Sequence, residues 1–174
     1  AKMSAAALVK TSVDMVKEKL IDKNRALTRI PAQQLEALLH RTMDESKIKD
    51  HKQIAKGIAA SPGAASGIVV FDVKKTIELG EAGKKIILVR KETKPEDVPA
   101  FFSAEGILTS LGGKSSHAAI VSRGMGKPCI VGCPELKIDY DNNTCTTNGI
   151  TIKEGETISI NGSEGTVFIG EVPT

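Results

Sequence analysis

One stretch of the sequence places a nucleophilic side chain beside backbone groups that attract anions. Residues 108–111 end an apolar strand, the glycine pair 112–113 predicts a turn, and the serine pair 115–116 can cap a helix. His117 then lies in the first turn of a helix that ends near Gly124. The N–H groups at a helix N-terminus favour an anion, and a neutral imidazole can attack a phosphoryl group. On this chemistry alone two interpretations stay open: His117 carries a phosphoryl group, or it is a structural residue.

The residues just before His117 are candidates for supporting it. Gly112 and Gly113 form the turn, and Lys114 either helps to hold a phosphate or is a solvated loop cation. The run Gly113-Lys114-Ser115 is similar to the end of a nucleotide-binding P-loop, whose pattern requires a glycine five positions before Gly113. That position is Leu108, so the spacing excludes a P-loop.

Hydroxyl and guanidinium groups nearby complete the set of candidates. Ser115 or Ser116 can act as the helix N-cap, because a serine oxygen accepts a hydrogen bond from a first-turn N–H. Six residues of helix turn Arg123 by about 240° from His117, so the two side chains cannot share a face. For Arg123 a catalytic role, a contact with a partner domain and a structural role stay open.

Short apolar runs separated by Gly, Pro and Asn predict the elements that must position this stretch. The predicted strands cover 67–71, 85–90, 106–110 and 128–132, and the predicted helices between them cover 74–81, 95–104 and 116–123. From residue 136 onward we predict β-structure with turns at the two Asn-Gly dipeptides, residues 148–149 and 161–162.

The first third of the chain has a different texture. Apolar residues at helical spacing predict an amphipathic helix at 5–22 and a second helix from Pro31 to about Arg41. Residues 44–56 are polar and charged with little periodicity, which predicts a linker. We therefore expect a helical connector and linker at 1–56, followed by an α/β domain at 57–174, with hinges near 44–56 and 170–174.

Composition excludes several classes of protein. The chain has 174 residues, 24 Lys and Arg against 21 Asp and Glu, and 3% aromatic residues, which is a poor supply for stacking nucleic-acid bases. No apolar run approaches the roughly 20 residues that cross a bilayer, and the N-terminus lacks the layout of a signal peptide. We expect no nucleic acid or membrane partner, and a cytoplasmic location. The three cysteines make an odd count, which favours buried free thiols over disulfides or a zinc site.

The sequence around His117 resembles the phosphohistidine signature of the phosphoenolpyruvate-utilising enzymes. The resemblance is carried by GGKSSHAAIVSR at 112–123 and GKPCIVGC at 126–133. The stretches ASPGAASG, ILVRKETKPEDV and AEGILT, at 60–67, 87–98 and 104–109, narrow it to the dikinases of this family. Residues 12–16 and 34–40 are similar to the helical connector that precedes the domain, so the resemblance covers nearly the whole chain.

The resemblance implies a swivelling β/β/α domain between an ATP-grasp domain and a (β/α)8 barrel, neither of which fits in this chain. In the implied cycle Nε2 of His117 attacks the β-phosphoryl of ATP, phosphate removes the terminal phosphoryl, and pyruvate enolate receives the remaining one. Mg2+ would be bound by the absent domains, with none in this segment. The implied parent protein is a homodimer, in the cytoplasm or an organelle.

The resemblance also assigns a regulatory position and leaves alternatives. Ser115 aligns with a position that is usually Thr in dikinases and is phosphorylated by a dedicated regulatory protein, so a regulatory kinase/phosphatase is an implied partner. A phosphate there would add a charge of about −1.5 to −2 beside His117. The same domain occurs in the synthase of this family, which uses water in place of phosphate, and in enzyme I of the sugar phosphotransferase system. A non-catalytic interaction module is the alternative from another class.

Overall fold

The computed structural model describes residues 5–31 and 38–174, and the chain divides after His40 into two compact units. The first unit contains helix α1 (Ala5–Lys17) and helix α2 (Lys23–Thr28). The helix predicted at 5–22 therefore ends early, because Lys19 has a φ of 58° and Asp22 caps a new helix by accepting a bond from the Arg25 N–H. Most of the helix predicted from Pro31 lies outside the described residues.

The second unit begins at Arg41 and contains the remaining elements. Its helices are α3 (Glu45–Ile48), α4 (Val73–Glu81), a 3-10 turn (Pro95–Asp97), α5 (Val98–Ser103) and α6 (His117–Met125). Its first six strands are β1 (Gln53–Lys56), β2 (Ile58–Ser61), β3 (Ala64–Val70), β4 (Ile86–Arg90), β5 (Gly106–Thr109) and β6 (Cys129–Val131). The other five are β7 (Lys137–Asp139), β8 (Thr144–Thr147), β9 (Ile150–Lys153), β10 (Thr157–Asn161) and β11 (Thr166–Ile169).

Three layers result from the way these strands pair. An eight-stranded sheet has the order β1-β11-β10-β3-β4-β5-β6-β2, and an antiparallel sheet has the order β7-β8-β9. Successive residues of β4 point to opposite faces, as strand geometry requires. Leu88 packs with α5 and α6 in one core, whereas Ile87 and Val89 pack with Cys145 and Ile152 of the small sheet in the other. The predicted fold class, an α/β domain with β/β/α layers, is confirmed.

The predicted linker at 44–56 is wrong in part, because it contains two elements of the second unit. α3 occupies its start, and β1 pairs antiparallel with β11 at its end. β2 was also missed by the sequence analysis. β1 (QIAK) and β2 (IAAS) have only four residues each, and neither contains a long apolar run, which is why the sequence pattern did not predict them. The compact unit therefore begins at Arg41 rather than at residue 57.

A single residue, Gly57, separates β1 from β2, although these strands pair with opposite edges of the large sheet. The chain from 53 to 61 therefore runs past both edges and closes the sheet on itself. At the crossing the Gly57 N–H donates to the Gly165 carbonyl at 2.8 Å. A Cβ on Gly165 would lie 2.3 Å from the Gly57 carbonyl oxygen, so the two backbones approach as closely as glycine allows.

Both segments predicted as hinges are bonded to the domain and to each other. The Asp44 N–H donates to the Pro173 carbonyl at 2.9 Å, and the Ala64 N–H donates to the Arg41 carbonyl at 2.8 Å. The buried hydroxyl of Ser159 accepts from the Val172 N–H at 2.8 Å. The chain therefore enters and leaves the second unit side by side. Within the described residues, no helix combines the length and the apolar character that a membrane span requires.

The closure of the sheet is testable with a matched pair of glycines. Gly165 has a φ of 77° and Gly149 a φ of 76°, but a Cβ at Gly149 would meet nothing within 4 Å. Both Gly→Ala changes should lower the free energy of unfolding by about 1–2 kcal/mol, because alanine is strained in the left-handed conformation. Gly165→Ala should lower it by about 2 kcal/mol more, because the added Cβ also pushes the backbone of Gly57 away. Urea unfolding measures both, and equal losses would contradict a tight crossing.

Candidate active site

The candidate site lies at one edge of the large sheet, because four neighbouring strands run parallel. β3, β4, β5 and β6 pair in parallel, so the loops that follow them leave from the same edge. In α/β proteins, ligands bind outside the carboxyl ends of parallel strands. The loop after β4 contains Thr93, and the loop after β5 leads to His117.

The loop between β5 and α6 is held by local hydrogen bonds. Thr109 Oγ1 donates to the Leu111 carbonyl at 2.6 Å, and the Ser116 N–H donates to the Gly113 carbonyl at 2.9 Å. Gly112 has a φ of 103°, and a Cβ there would lie 3.0 Å from Ser116 Oγ. The first glycine of the predicted turn is therefore required by both its backbone angle and the space beside it, whereas Gly113 has open space.

Helix α6 begins at His117 and has a well-defined cap at each end. The Ser116 hydroxyl accepts a bond from the Ala119 N–H at 3.4 Å, which makes Ser116 the N-cap that the sequence analysis assigned to Ser115 or Ser116. Gly126 ends the helix in the left-handed conformation. Other first-turn N–H groups have no partner within the helix and face the space before it, where an anion would be stabilised.

The His117 imidazole is half-buried and is contacted on two sides. Its Nδ1 lies 3.3 Å from Thr93 Oγ1. The Phe101 ring lies edge-on, with the ring centroids 6.1 Å apart and an interplanar angle of 84°. In the tautomer with the proton on Nδ1, Thr93 accepts that bond and Nε2 keeps its lone pair. The hydrogen bonds of the described residues include none to Nε2.

The other predicted site residues surround the histidine at greater distance. Arg123 donates from Nη2 to the Lys114 carbonyl at 2.6 Å, so it ties the end of α6 back to the loop before it. This contact supports the structural interpretation of Arg123. Lys114 and Ser115 are exposed, and their side chains have no hydrogen bond to the described residues.

Thr93 and Phe101 were not predicted as site residues, because the Thr93–His117 contact joins positions 24 residues apart. The groups that support the loop carrying Thr93 were not predicted either. The Arg90 guanidinium donates to the Phe71 carbonyl at 3.0 Å and lies 5.2 Å from the centre of the Tyr140 ring. Tyr140 in turn accepts from the Lys91 N–H at 2.7 Å. The available signal for Thr93 was its hydroxyl group, which comes three residues after the end of the buried strand β4.

The three cysteines are free and buried, as predicted. Burial raises the pKa of Cys129 to about 11, against weaker opposing effects of a Ser122 hydrogen bond and the Arg123 charge. Burial raises the pKa of Cys133 to about 12 and that of Cys145 to about 11. Within the described residues, no group of three or more His, Cys, Asp or Glu side chains could hold a metal ion.

The N-cap assignment is testable with adjacent serines. Ser116→Ala should destabilise the domain by about 1 kcal/mol, because the Ala119 N–H loses its acceptor at the start of α6. Ser115→Ala should change the stability by less than about 0.5 kcal/mol, since its exposed hydroxyl has no such bond. Urea unfolding compares the two variants, and equal effects would contradict the assignment.

The thiols should be unreactive in the folded chain. At pH 8 a disulfide reagent such as Ellman's reagent should modify them only as fast as the protein unfolds, and rapidly in urea. Because the folded pKa values lie above the usual value of 9.0, unfolded thiols ionise first as the pH rises. Their contribution therefore lowers the unfolding free energy from pH 9 up to about 11 for Cys129 and Cys145 and about 12 for Cys133. Fast modification of the native protein at pH 8 would contradict this.

The part of the chain that forms the candidate site is similar to proteins of known function. Residues 82–165 match the family model described as PEP-utilising enzyme, mobile domain, and this stretch contains the strands and loops that hold Thr93 and His117. The chain is 49% identical, over 99% of its length, to pyruvate, phosphate dikinase of Entamoeba histolytica, of which it covers 19%. It is 44% identical over 99% of its length to the Rhizobium meliloti enzyme of the same name, also covering 19% of it.

A plant relative is equally similar. The chain is 45% identical over 98% of its length to the chloroplastic pyruvate, phosphate dikinase 1 of Arabidopsis thaliana, of which it covers 18%. The chain thus spans about a fifth of the length of the curated relatives it matches. The resemblance in the sequence is confirmed: residues 82–165 match the mobile domain of the phosphoenolpyruvate-utilising enzymes, and relatives that align with nearly the whole chain are named pyruvate, phosphate dikinase.

Proposed function

We propose that this chain is the central phosphoryl-carrier domain of a pyruvate, phosphate dikinase and that Nε2 of His117 carries the group. The observation that carries the proposal is the 3.3 Å contact between Thr93 Oγ1 and Nδ1 of His117, because a proton on Nδ1 that is donated to Thr93 leaves the Nε2 lone pair free to attack. Sequence identities of 44% to 49% with dikinases, over nearly the whole chain, support the choice of parent enzyme.

The proposed cycle splits one transfer into steps through a covalent intermediate. The Nε2 lone pair bonds to the β-phosphorus of ATP, the bond from that phosphorus to the oxygen shared with the α-phosphorus breaks, and AMP leaves. Phosphate then attacks the terminal phosphorus of the pyrophosphoryl-histidine, the bond from that phosphorus to the bridging oxygen breaks, and the pyrophosphate so formed departs while one phosphoryl group stays on Nε2. The remaining phosphoryl group passes from Nε2 to the enolate oxygen of pyruvate, which forms phosphoenolpyruvate and frees the imidazole.

Residues around His117 would serve this chemistry in different ways. First-turn N–H groups of α6 stabilise the negative charge of a phosphoryl group on Nε2. Lys114 is exposed and close enough in sequence to add a positive charge, while Arg123 holds the loop through the Lys114 carbonyl. Ser116 and Gly112 keep the helix start in place. Mg2+ neutralises the phosphates of ATP when bound, and other parts of the parent protein would hold it.

The parent protein would supply the two sites between which the histidine moves. An ATP-grasp domain and a phosphoenolpyruvate-binding barrel would account for the length that the relatives have beyond this chain. Since Asp44 is bonded to Pro173 and Arg41 to Ala64, the hinges would lie before Arg41 and after Pro173. We place the homodimeric parent in the cytoplasm, or in a plastid as the name of the Arabidopsis relative states for that protein.

Ser115 is the proposed regulatory position. It is exposed and lies two residues before His117, so a modifying kinase can reach its hydroxyl. A phosphate on Ser115 would compete for the same helix N-terminus and repel an incoming phosphoryl group. Loss of label on His117 after Ser115→Asp would support this role.

The deciding experiment labels the parent protein and maps the acid-labile phosphate by peptide. ATP labelled at the β-phosphate and labelled phosphoenolpyruvate should both label His117, and pyrophosphate release should require phosphate. His117→Asn should abolish label and turnover without unfolding the domain. His51→Asn, a change at a histidine bonded to the Lys47 carbonyl, is the control that should keep both.

Other outcomes point to relatives of this function. Release of phosphate in place of pyrophosphate would indicate the synthase, and label from phosphoenolpyruvate alone would indicate enzyme I. The absence of label from every donor would mean a non-catalytic module and would overturn the proposal.

A further inference from the structure

We propose that Phe101 is a positioning residue that sets the orientation of the His117 imidazole. The proposal rests on the proposed function for what the imidazole does, but its geometry does not. Phe101 lies in α5, is completely buried, and contacts the imidazole in the T-shaped arrangement that aromatic pairs prefer. It contacts the side chain proposed to react, so it would act through that histidine.

The imidazole needs more than the Thr93 bond to be held. Rotation about the last side-chain torsion of histidine is broad and roughly two-fold. Half a turn exchanges Nδ1 with Cδ2 and Nε2 with Cε1, so a flipped ring would present a carbon where the nucleophile should be. The Thr93 hydroxyl favours one of the two orientations, and a fixed aromatic wall restricts the angles between them.

Thr93 and Phe101 belong to one connection, between β4 and β5, so the two contacts are set together. The Lys94 N–H donates to Asp97 Oδ2 and the Asp97 N–H to the Lys94 carbonyl, each at 2.9 Å. Asp97 is buried, and the 3-10 turn that it closes leads directly into α5. This turn fixes the path from the hydroxyl to the ring.

The Phe101 ring is itself immobilised by the core on the helix side of the sheet. It shares that core with Ala118 and Ala119, which follow the histidine in α6, and with Leu88 of β4. The small side chains of α6 let the ring approach the helix closely. Phe102, the next residue of α5, is 68% exposed and offers a matched control in the same helix.

A small phosphoryl donor tests the positioning in the 174-residue chain, without any other domain. Zwitterionic phosphoramidate is the probe. The Nε2 lone pair bonds to its phosphorus, the P–N bond breaks, ammonia leaves with its three hydrogens, and the imidazole keeps its proton on Nδ1. Peptide mapping separates His117 from His40 and His51, and NMR of the product distinguishes phosphate on Nε2 from phosphate on Nδ1.

Phe101→Leu should slow labelling of His117 by roughly 2- to 10-fold, the range that an aromatic pair contributes. It should also raise the share of Nδ1 product, because a ring that turns freely exposes Nδ1. Phe102→Leu should change neither quantity. Ile107→Val, a mild change in the same core, controls for destabilisation and should leave the ratio of products unchanged.

The 15N resonances of the His117 ring give a second measurement that needs no phosphorylation. In the unmodified chain they should report a proton on Nδ1, and Phe101→Leu should move them toward a mixture of tautomers. Equal rates, ratios and ring spectra for Phe101→Leu and Phe102→Leu would overturn the positioning role. If the wild-type chain takes no label on His117 the proposed function loses its support, while the ring spectra still decide the role of Phe101.

Discussion

The site depends on the register between two parallel strands. Arg90 at the end of β4 lies opposite Thr109 at the end of β5, so the loops that follow leave the sheet at the same level. One loop brings the hydroxyl of Thr93 and the other brings the imidazole of His117. A shift of one residue would turn every side chain of a strand to the other face and separate the two groups. Both faces of these strands are buried, one against the helices and the other against the small sheet, and this burial prevents the shift.

Packing on the helix side and closure of the sheet both restrict movement within the second unit. The contact between Gly57 and Gly165 holds the chain where it passes from one edge of the large sheet to the other, and the Asp44–Pro173 bond fixes where the chain enters and leaves. Because both ends of the second unit are bonded to it, the proposed swing would occur outside residues 41–173. A rigid carrier can present a side chain in one orientation at each of two sites, which matters because misplacement by about 1 Å slows transfer strongly.

The chain has few aromatic residues, and one of them lies against the candidate nucleophile. Most of the helix-side core consists of alanine and branched aliphatic side chains, which let α5 and α6 lie close to the sheet and to each other. The buried cysteines belong to these cores, where burial keeps their thiols protonated. The chemistry proposed for the domain therefore uses His117 and the backbone around it, and not the thiols.

The sequence by itself determined the four core strands with helices between them, the turn and the histidine at the start of α6. Continuous apolar runs such as 86–90, a helix with small residues on its buried face, and glycines at the turn are local signals, which do not depend on distant partners. The tertiary structure alone decided the roles of β1 and β2, whose short sequences become strands only because the sheet edges offer them partners. It also decided that Thr93 and Phe101 meet His117, because contacts across a loop connection depend on strand register and helix packing, which no local pattern records.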